Sequence, residues 1–224
     1  MDSSELGKEI YDLIINQGAG DAGFAGIENF NSHGLPRAVS VFVPLSKHIL
    51  SEITDKPTYD YYAHYRAANS LIDIITLQTA LFISKKGYSA HPVAASQSTG
   101  EHHLFASSFS HKIAATRSGK GFIGKNALFI HETFGSAVRL GTVLTDAPFE
   151  CGEPAEKGEC GSCMICADKC PASAVAGNEW SVKSQRSDLF DPRACSDYMK
   201  SRFSGITKGN ACGICIRFCP RSKV

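Results

Sequence analysis

No cysteine occurs in the first 150 residues of this 224-residue chain, and all nine follow from Cys151 onward. Long hydrophobic runs are lacking too. The longest apolar stretch, Leu71 to Ile83, is broken by Asp73, Thr76, Gln78 and Thr79, short of the roughly 18 apolar residues that span a bilayer, so no membrane association is expected. Excess charge of either sign is missing: 23 Lys/Arg stand against 22 Asp/Glu, a balance that argues against a protein built on phosphate backbones, and no nucleic acid is expected as partner. The start, Met1 to Glu5, is acidic and lacks a basic n-region with an apolar h-region, which predicts a cytoplasmic chain. What is abundant is core material. With 43% hydrophobic residues the chain can bury a real interior, which excludes disorder, and its length allows one large or two small domains.

The cysteines read Cys160, Cys163, Cys166, Cys170-Pro171, then an isolated Cys195, then Cys212, Cys215, Cys219-Pro220. A disulfide scaffold needs an oxidising compartment, to which no route is visible. Structural zinc asks for two CxxC half-sites, and the first run holds more thiolates than a half-site needs. The spacing C-x2-C-x2-C-x3-C-P is that of bacterial ferredoxins, whose fourth cysteine ligates the other cluster. Three thiolates at i, i+3 and i+6 wrap three corners of one cubane, and the fourth points away toward a second. Proline after it suits a first helical position, where a missing N–H costs nothing. The second run lacks a leading cysteine, a gap that Cys195 fills. By this exchange one 4Fe-4S cluster takes Cys160, Cys163, Cys166 and Cys219, and the other takes Cys170, Cys195, Cys212 and Cys215. Cys151 is left over and reads as a free reduced thiol. The last 74 residues carry 11 Lys/Arg against 8 Asp/Glu, a basic excess that compensates anionic clusters.

A division follows into residues 1–150, an α+β domain, and 151–224, a ferredoxin-like double-cluster domain. Within the first, Ala38 to Pro44 reads as a buried strand entered from a turn. Thr58 can cap a long helix in which Ala67, Leu71, Ile74, Leu77 and Leu81 repeat at helical spacing, ending at Gly87. Tyr88 to Ala95 reads as a strand, and Phe109 to Ser118 as a helix stopped by Gly119. Ala127 to Thr133 and Ala137 to Thr145 read as a hairpin turning at Phe134, Gly135 and Ser136. The segment GKGFIGKN at 119–126 satisfies GxGxxG, yet it follows a helix and opens a strand, the reverse of a dinucleotide site. It also misses the P-loop, because Asn126 replaces the magnesium-binding hydroxyl. Its three glycines fit either a tight connection or backbone lying against a flat or anionic ligand.

Taken together, SHKIAA at 110–115, SGKGFIGKN at 118–126, LGTVLTD at 140–146 and the two cysteine runs with CSDY at 195–198 between them resemble the epoxyqueuosine reductase family, which is related to the reductive dehalogenases. That family writes its centre as an AGLGWIGKN-like loop followed by a hairpin and a double-cluster ferredoxin domain. The resemblance covers about residues 85 to 220. It implies a base-off cobalamin between a nitroreductase-like, corrinoid-binding N-terminal domain and the ferredoxin domain, reduced through two 4Fe-4S clusters by a low-potential donor. Carried over by position, Gly121, Phe122, Ile123, Gly124, Lys125 and Asn126 would lie along the corrin or its tail, Asp197 and Tyr198 would touch it from the ferredoxin side, and Lys112 would reach an amide or phosphate. The family's acidic proton donor falls on Phe105 by ungapped counting, with Glu101, His102 and His103 nearby. The cluster Tyr59, Tyr61, Tyr62, His64, Tyr65 and Arg66 offers another donor, or else the aromatic start of a core helix. His111 reads as a donor or a capped surface histidine. The expected activity is reduction of a small substrate by a cobalamin-dependent iron–sulfur oxidoreductase. The alternatives are a carrier that reduces or delivers a corrinoid to a partner, and an iron–sulfur flavoprotein with FMN.

Overall fold

The computed structural model describes residues 3–30, 32–96, 105, 107–209 and 211–222. Its elements run α1 (Ser3–Asn16), β1 (Asp21–Gly26), β2 (Arg37–Pro44), α2 (Lys47–Ser51), α3 (Tyr59–Lys85), β3 (Ala90–Val93), α4 (His111–Arg117), β4 (Gly121–Ile123), β5 (Phe129–His131), β6 (Val138–Thr145), α5 (Ile165–Asp168), α6 (Arg186–Leu189), α7 (Pro192–Thr207) and α8 (Ile214–Arg217), before a 3-10 turn at Pro220–Ser222. The architecture is mixed α and β, and it divides into two interleaved compact units. One comprises residues 1–44, 68–121 and 139–155, the other 45–67, 122–138 and 156–224. The expected cut after residue 150 lies beside the last of these boundaries, and two internal segments join the cysteine-bearing unit.

The first unit is built on a four-stranded sheet in the order β1-β2-β6-β3. β1 and β2 pair antiparallel from Asp21↔Phe42 to Gly26↔Arg37, and β3 pairs antiparallel with β6 from Ala90↔Thr145 to Val93↔Thr142. The central β2 is buried at six consecutive positions, as its unbroken apolar sequence requires of a strand covered on both faces. Helix α1 contributes Leu6, Ile10 and Ile14, four residues apart and all buried.

Helix α3 starts as expected: Thr58 Oγ1 accepts the Tyr61 N–H at 3.0 Å. Its buried face is not the anticipated one. Ala68, Ile72, Ile75, Ala80 and Ile83 are buried, whereas Ile74, Leu77 and Leu81 are 53%, 51% and 54% exposed. Two apolar stripes share this helix, and periodicity alone ranks neither. The sheet chooses: Gly141 on β6 leaves room for the close approach of Ile72 and Thr76, since a Cβ there would sit 2.6 Å from Ile72. By length and composition α3 is the one helix among the described residues long and apolar enough to cross a membrane, and 39% of its apolar window is buried within the protein.

The predicted hairpin is also corrected. Phe134 to Ser136 does turn, with His131 and Gly135 exchanging both backbone hydrogen bonds at 2.9 Å. The strands either side do not pair with each other: β5 pairs with β4, and β6 enters the large sheet. The cause is a tighter turn upstream. Gly124 N–H donates to Leu128 O at 2.9 Å, Ala127 N–H to Gly124 O at 2.8 Å, and Leu128 N–H to Asn126 Oδ1 at 3.1 Å, with Ala127 at a left-handed φ of 57°. The glycine segment therefore follows helix α4 and opens a strand, as read from the sequence.

Candidate iron-sulfur centres

The first cysteine run is a turn followed by a single helical turn. Cys163 N–H donates to Cys160 O at 3.2 Å, Gly161 takes a φ of 58°, and the four-residue α5 carries Cys166. Cys170 follows as α5 closes, and the Ala174 N–H donates to its sulfur at 3.3 Å. Asp191 caps α7 by accepting the Arg193 and Ala194 N–H groups at 2.9 and 3.0 Å, with Pro192 opening the helix, so Cys195 emerges from its first turn. In the second run Gly213 sits at φ 79°, and a Cβ there would meet Ile53 and the Tyr61 ring at 2.7 Å. That glycine lets the chain turn into α8, which carries Cys215.

All nine cysteines are free thiols. Their mutual influence sorts eight of them into two neighbourhoods. Cys166 is pushed up to about 11, first by burial and then by Cys219, Cys160 and Cys163. Cys195 is likewise pushed up to about 11, by burial and then by Cys212, Cys170 and Asp191. Burial raises the Cys215 thiol, followed by Cys212, Cys195, Cys170 and Cys166, the last being a neighbour from the other set. Cys160 and Cys212 are raised by burial and eased by hydrogen bonds from the backbone of Lys125 and Ile214 respectively. Thiols crowded in this way give up their protons when they bind a cation, so binding of metal there would release protons. Among the described residues no three Cys, His, Asp or Glu side chains close around a single ion, whereas a cubane distributes its four thiolates over its corners. Cys151 stands apart in the other unit, exposed, its thiol raised by burial against the opposing charge of Arg37.

The glycine segment's side chains are buried. Phe122, Ile123, Lys125 and Asn126 are between 4% and 7% exposed. Arg221 lies over the Phe122 ring at 5.3 Å, Lys125 Nζ donates to Gly161 O at 2.6 Å, and Asn126 Nδ2 donates to Cys215 O at 3.5 Å. This turn thus holds backbone from both cysteine runs, a role no motif announced. Glu179 was missed as well: its carboxylate accepts the Cys160 and Gly161 N–H groups at 2.9 and 3.0 Å. No sequence pattern could reveal it, because it reaches the loop from 18 or 19 residues away. On α7 Asp197 is exposed, and Tyr198 is half-buried with its ring edge-on to Phe203 at 5.6 Å. Lys112 is half-buried on α4.

The aromatic segment does not act as a block. Tyr61 is buried against Gly213, Tyr59 is exposed with its hydroxyl donating to Gly205 O at 3.4 Å, and Arg66 lies 5.8 Å over Tyr62. His64 Nε2 accepts the Ser46 N–H at 2.9 Å, and burial lowers its pKa. His111 is half-buried and held at both ring nitrogens: its Nδ1 meets Thr142 Oγ1 at 2.8 Å and its Nε2 donates to Ala94 O at 3.0 Å. Burial lowers its pKa as well. Glu101, His102 and His103 lie outside the described residues, while Phe105, the position reached by counting, carries no acid.

Two thiol neighbourhoods on ferredoxin-spaced loops define a class, and residues 159–222 match the family described as a 4Fe-4S double cluster binding domain. Over 117 residues, 51% of this chain and 30% of the relative, the sequence is 34% identical to the epoxyqueuosine reductase of Staphylococcus aureus. In fold, the chain superposes over 98% of its length on a reductive dehalogenase whose structure "suggests a mechanism for B12-dependent dehalogenation", with a TM-score of 0.76, 20% identity and 32% of that chain covered. It superposes equally over 98% of its length on an epoxyqueuosine reductase solved with an epoxyqueuosine-modified tRNA stem loop, with a TM-score of 0.61, 19% identity and 66% of that chain covered. The chain is thus similar to the epoxyqueuosine reductases in sequence over about half its length, and shares its fold with them and with the reductive dehalogenases. It spans about a third of the curated relative's length. None of these likenesses carries the nitroreductase description of residues 1–150. The tRNA-bound relative runs against the expectation that no nucleic acid is involved, which rested on overall charge balance; a local surface can bind a stem loop without a net basic chain.

Proposed function

We propose that this protein is a cobalamin-dependent iron–sulfur oxidoreductase in which two 4Fe-4S clusters, fed by a low-potential donor, serve a base-off cobalamin. The observation that carries the reading is the sorting of eight thiols into Cys160, Cys163, Cys166, Cys219 and Cys170, Cys195, Cys212, Cys215, in a domain matched to double-cluster binding. Clusters bound there supply one-electron carriers, and cobalamin supplies a cobalt centre able to take up their electrons and reduce a substrate. The chain's part is to hold and shield. Cys166 is buried and Cys215 and Cys195 are half-buried, and backbone N–H groups of Ala174, Ile214 and Lys125 point at the sulfurs of Cys170, Cys212 and Cys160. Such hydrogen bonds stabilise thiolate and make reduction easier. Toward the corrin, Asp197 and Tyr198 would offer polar ends on α7, and the segment 122–126, with its side chains turned inward, would offer backbone.

The test is an anaerobic preparation. Roughly eight irons per chain are expected, four for each cubane, and added hydroxocobalamin should shift to the bands of a base-off corrinoid. Iron-free protein, FMN absorption, or corrinoid bands unchanged by the protein would each overturn the proposal. Cys195→Ser should remove or alter one of two EPR signals; two intact signals would strike Cys195 from the ligands. Supplied with a low-potential reductant, the loaded protein is expected to turn over a reducible small molecule or a modified tRNA stem loop. Reduction of a partner's cobalamin with neither substrate consumed would make it a carrier.

A further inference from the structure

Lys125 is only 7% exposed, and among the described residues no carboxylate reaches its ammonium. Its Nζ has the Gly161 carbonyl at 2.6 Å and the Met164 thioether at 3.6 Å. A cation on so buried a side chain, in such neutral company, gains from a counter-charge placed beside it. The missing negative charge is the one the first thiol set would carry once loaded, because Gly161 lies between Cys160 and Cys163 and Met164 precedes Cys166 by two residues. The backbone N–H of the same lysine bonds the Cys160 sulfur. Glu179 grips the loop at its amides, accepting from Cys160 and Gly161. One turn of chain is therefore held by a cation at its carbonyl and a carboxylate at its N–H groups.

Resting on the cluster reading above, we propose that Lys125 is a charge-setting and positioning residue of the first cluster, raising its reduction potential against the opposing charge of Glu179. Reduction brings one electron from the external donor and adds one unit of negative charge to the centre. A fixed ammonium nearby favours that form and a fixed carboxylate disfavours it; the buried Lys125 is weakly screened, whereas the exposed Glu179 is screened by solvent and acts with a smaller weight. The second thiol set has different neighbours: the neutral Asn126 amide at Cys215 O and the Asp191 carboxylate near Cys195.

The experiment is an EPR-monitored redox titration of the anaerobic protein, with Cys195→Ser marking the second centre's signal. Lys125→Met should lower the first midpoint so that, at a fixed solution potential, its reduced-to-oxidised ratio falls about tenfold, equivalent to about 59 mV for a one-electron couple. Glu179→Gln should move the same signal the opposite way, and Lys125→Arg should restore the wild-type value. An unmoved first midpoint in Lys125→Met overturns the proposal. Should Lys125→Met lose the first cluster's iron, Glu179→Gln decides: an upward shift sustains charge control of this loop, and no shift sinks it. A wild-type protein without iron would instead remove the underlying cluster reading, a result seen before any variant is made.

Discussion

Leu6, Ile10, Ile14, Phe42, Ile72, Ile75, Ile83 and Leu144 are all 0–1% exposed and all belong to the sheet-bearing unit. The cysteine-rich stretch 156–222 contributes none of the largest fully buried side chains, and three of its four helices are four residues long. Where the first unit is held by apolar burial, worth roughly 25 cal/mol per Å², the tail is held by caps, turns and smaller buried side chains around its thiols. A stretch of that size with so little interior is the kind that natural proteins staple with metal or disulfides. Unlike the sheet, it is expected to depend on bound iron for its stability.

The sharpest way to break this contrast is to take the iron away. Anaerobic chelation should let amide exchange rise throughout 156–222 while β1, β2 and β6 stay protected; equal protection of the tail with and without iron would show that it has a self-sufficient core. Next in size, Ile72→Ala should cost about 2–5 kcal/mol by opening a cavity in the first unit, lowering its denaturant midpoint with iron per folded chain unchanged. Gly213→Ala acts in the other unit. It adds a Cβ at φ 79° against Tyr61 and Ile53, a strain of about 1–3 kcal/mol, and is expected to diminish the second EPR signal while β1 and β2 keep their exchange protection.

Acid should weaken both units modestly. Burial lowers the pKa of His111 in the sheet-bearing unit and of His64 in the other, below the ordinary 6.5. The unfolded chain then binds more protons than the folded one as pH drops below 6.5, so stability present above that value is lost as pH falls toward the depressed native pKa values. Denaturation midpoints at pH 7.5 and 5.5, compared with those of His111→Gln and His64→Gln, would read this: a pH dependence unchanged in the variants would remove both histidines from the account. The smallest effect is expected at the outward stripe of α3, where Leu77→Gln should change stability by no more than about 0.5 kcal/mol. A larger loss would mean that this face is covered.

Features set by neighbouring residues were legible without coordinates. The extent of β2 follows from an unbroken apolar run, the start of α3 from Thr58, the end of α4 from Gly119 at φ 74°, and the shape of the cysteine loops from their spacing. These depend on backbone torsions and contacts within a few residues, which composition and order state directly. Tertiary structure alone decided which of two apolar stripes on α3 meets the sheet, that β5 takes β4 rather than β6 as partner, that Lys125 and Glu179 converge on Gly161, and that segments 45–67 and 122–138 join the cysteine-bearing unit. Each of those outcomes is a competition between surfaces far apart in the chain, and its winner depends on shape and buried charge that no local pattern encodes.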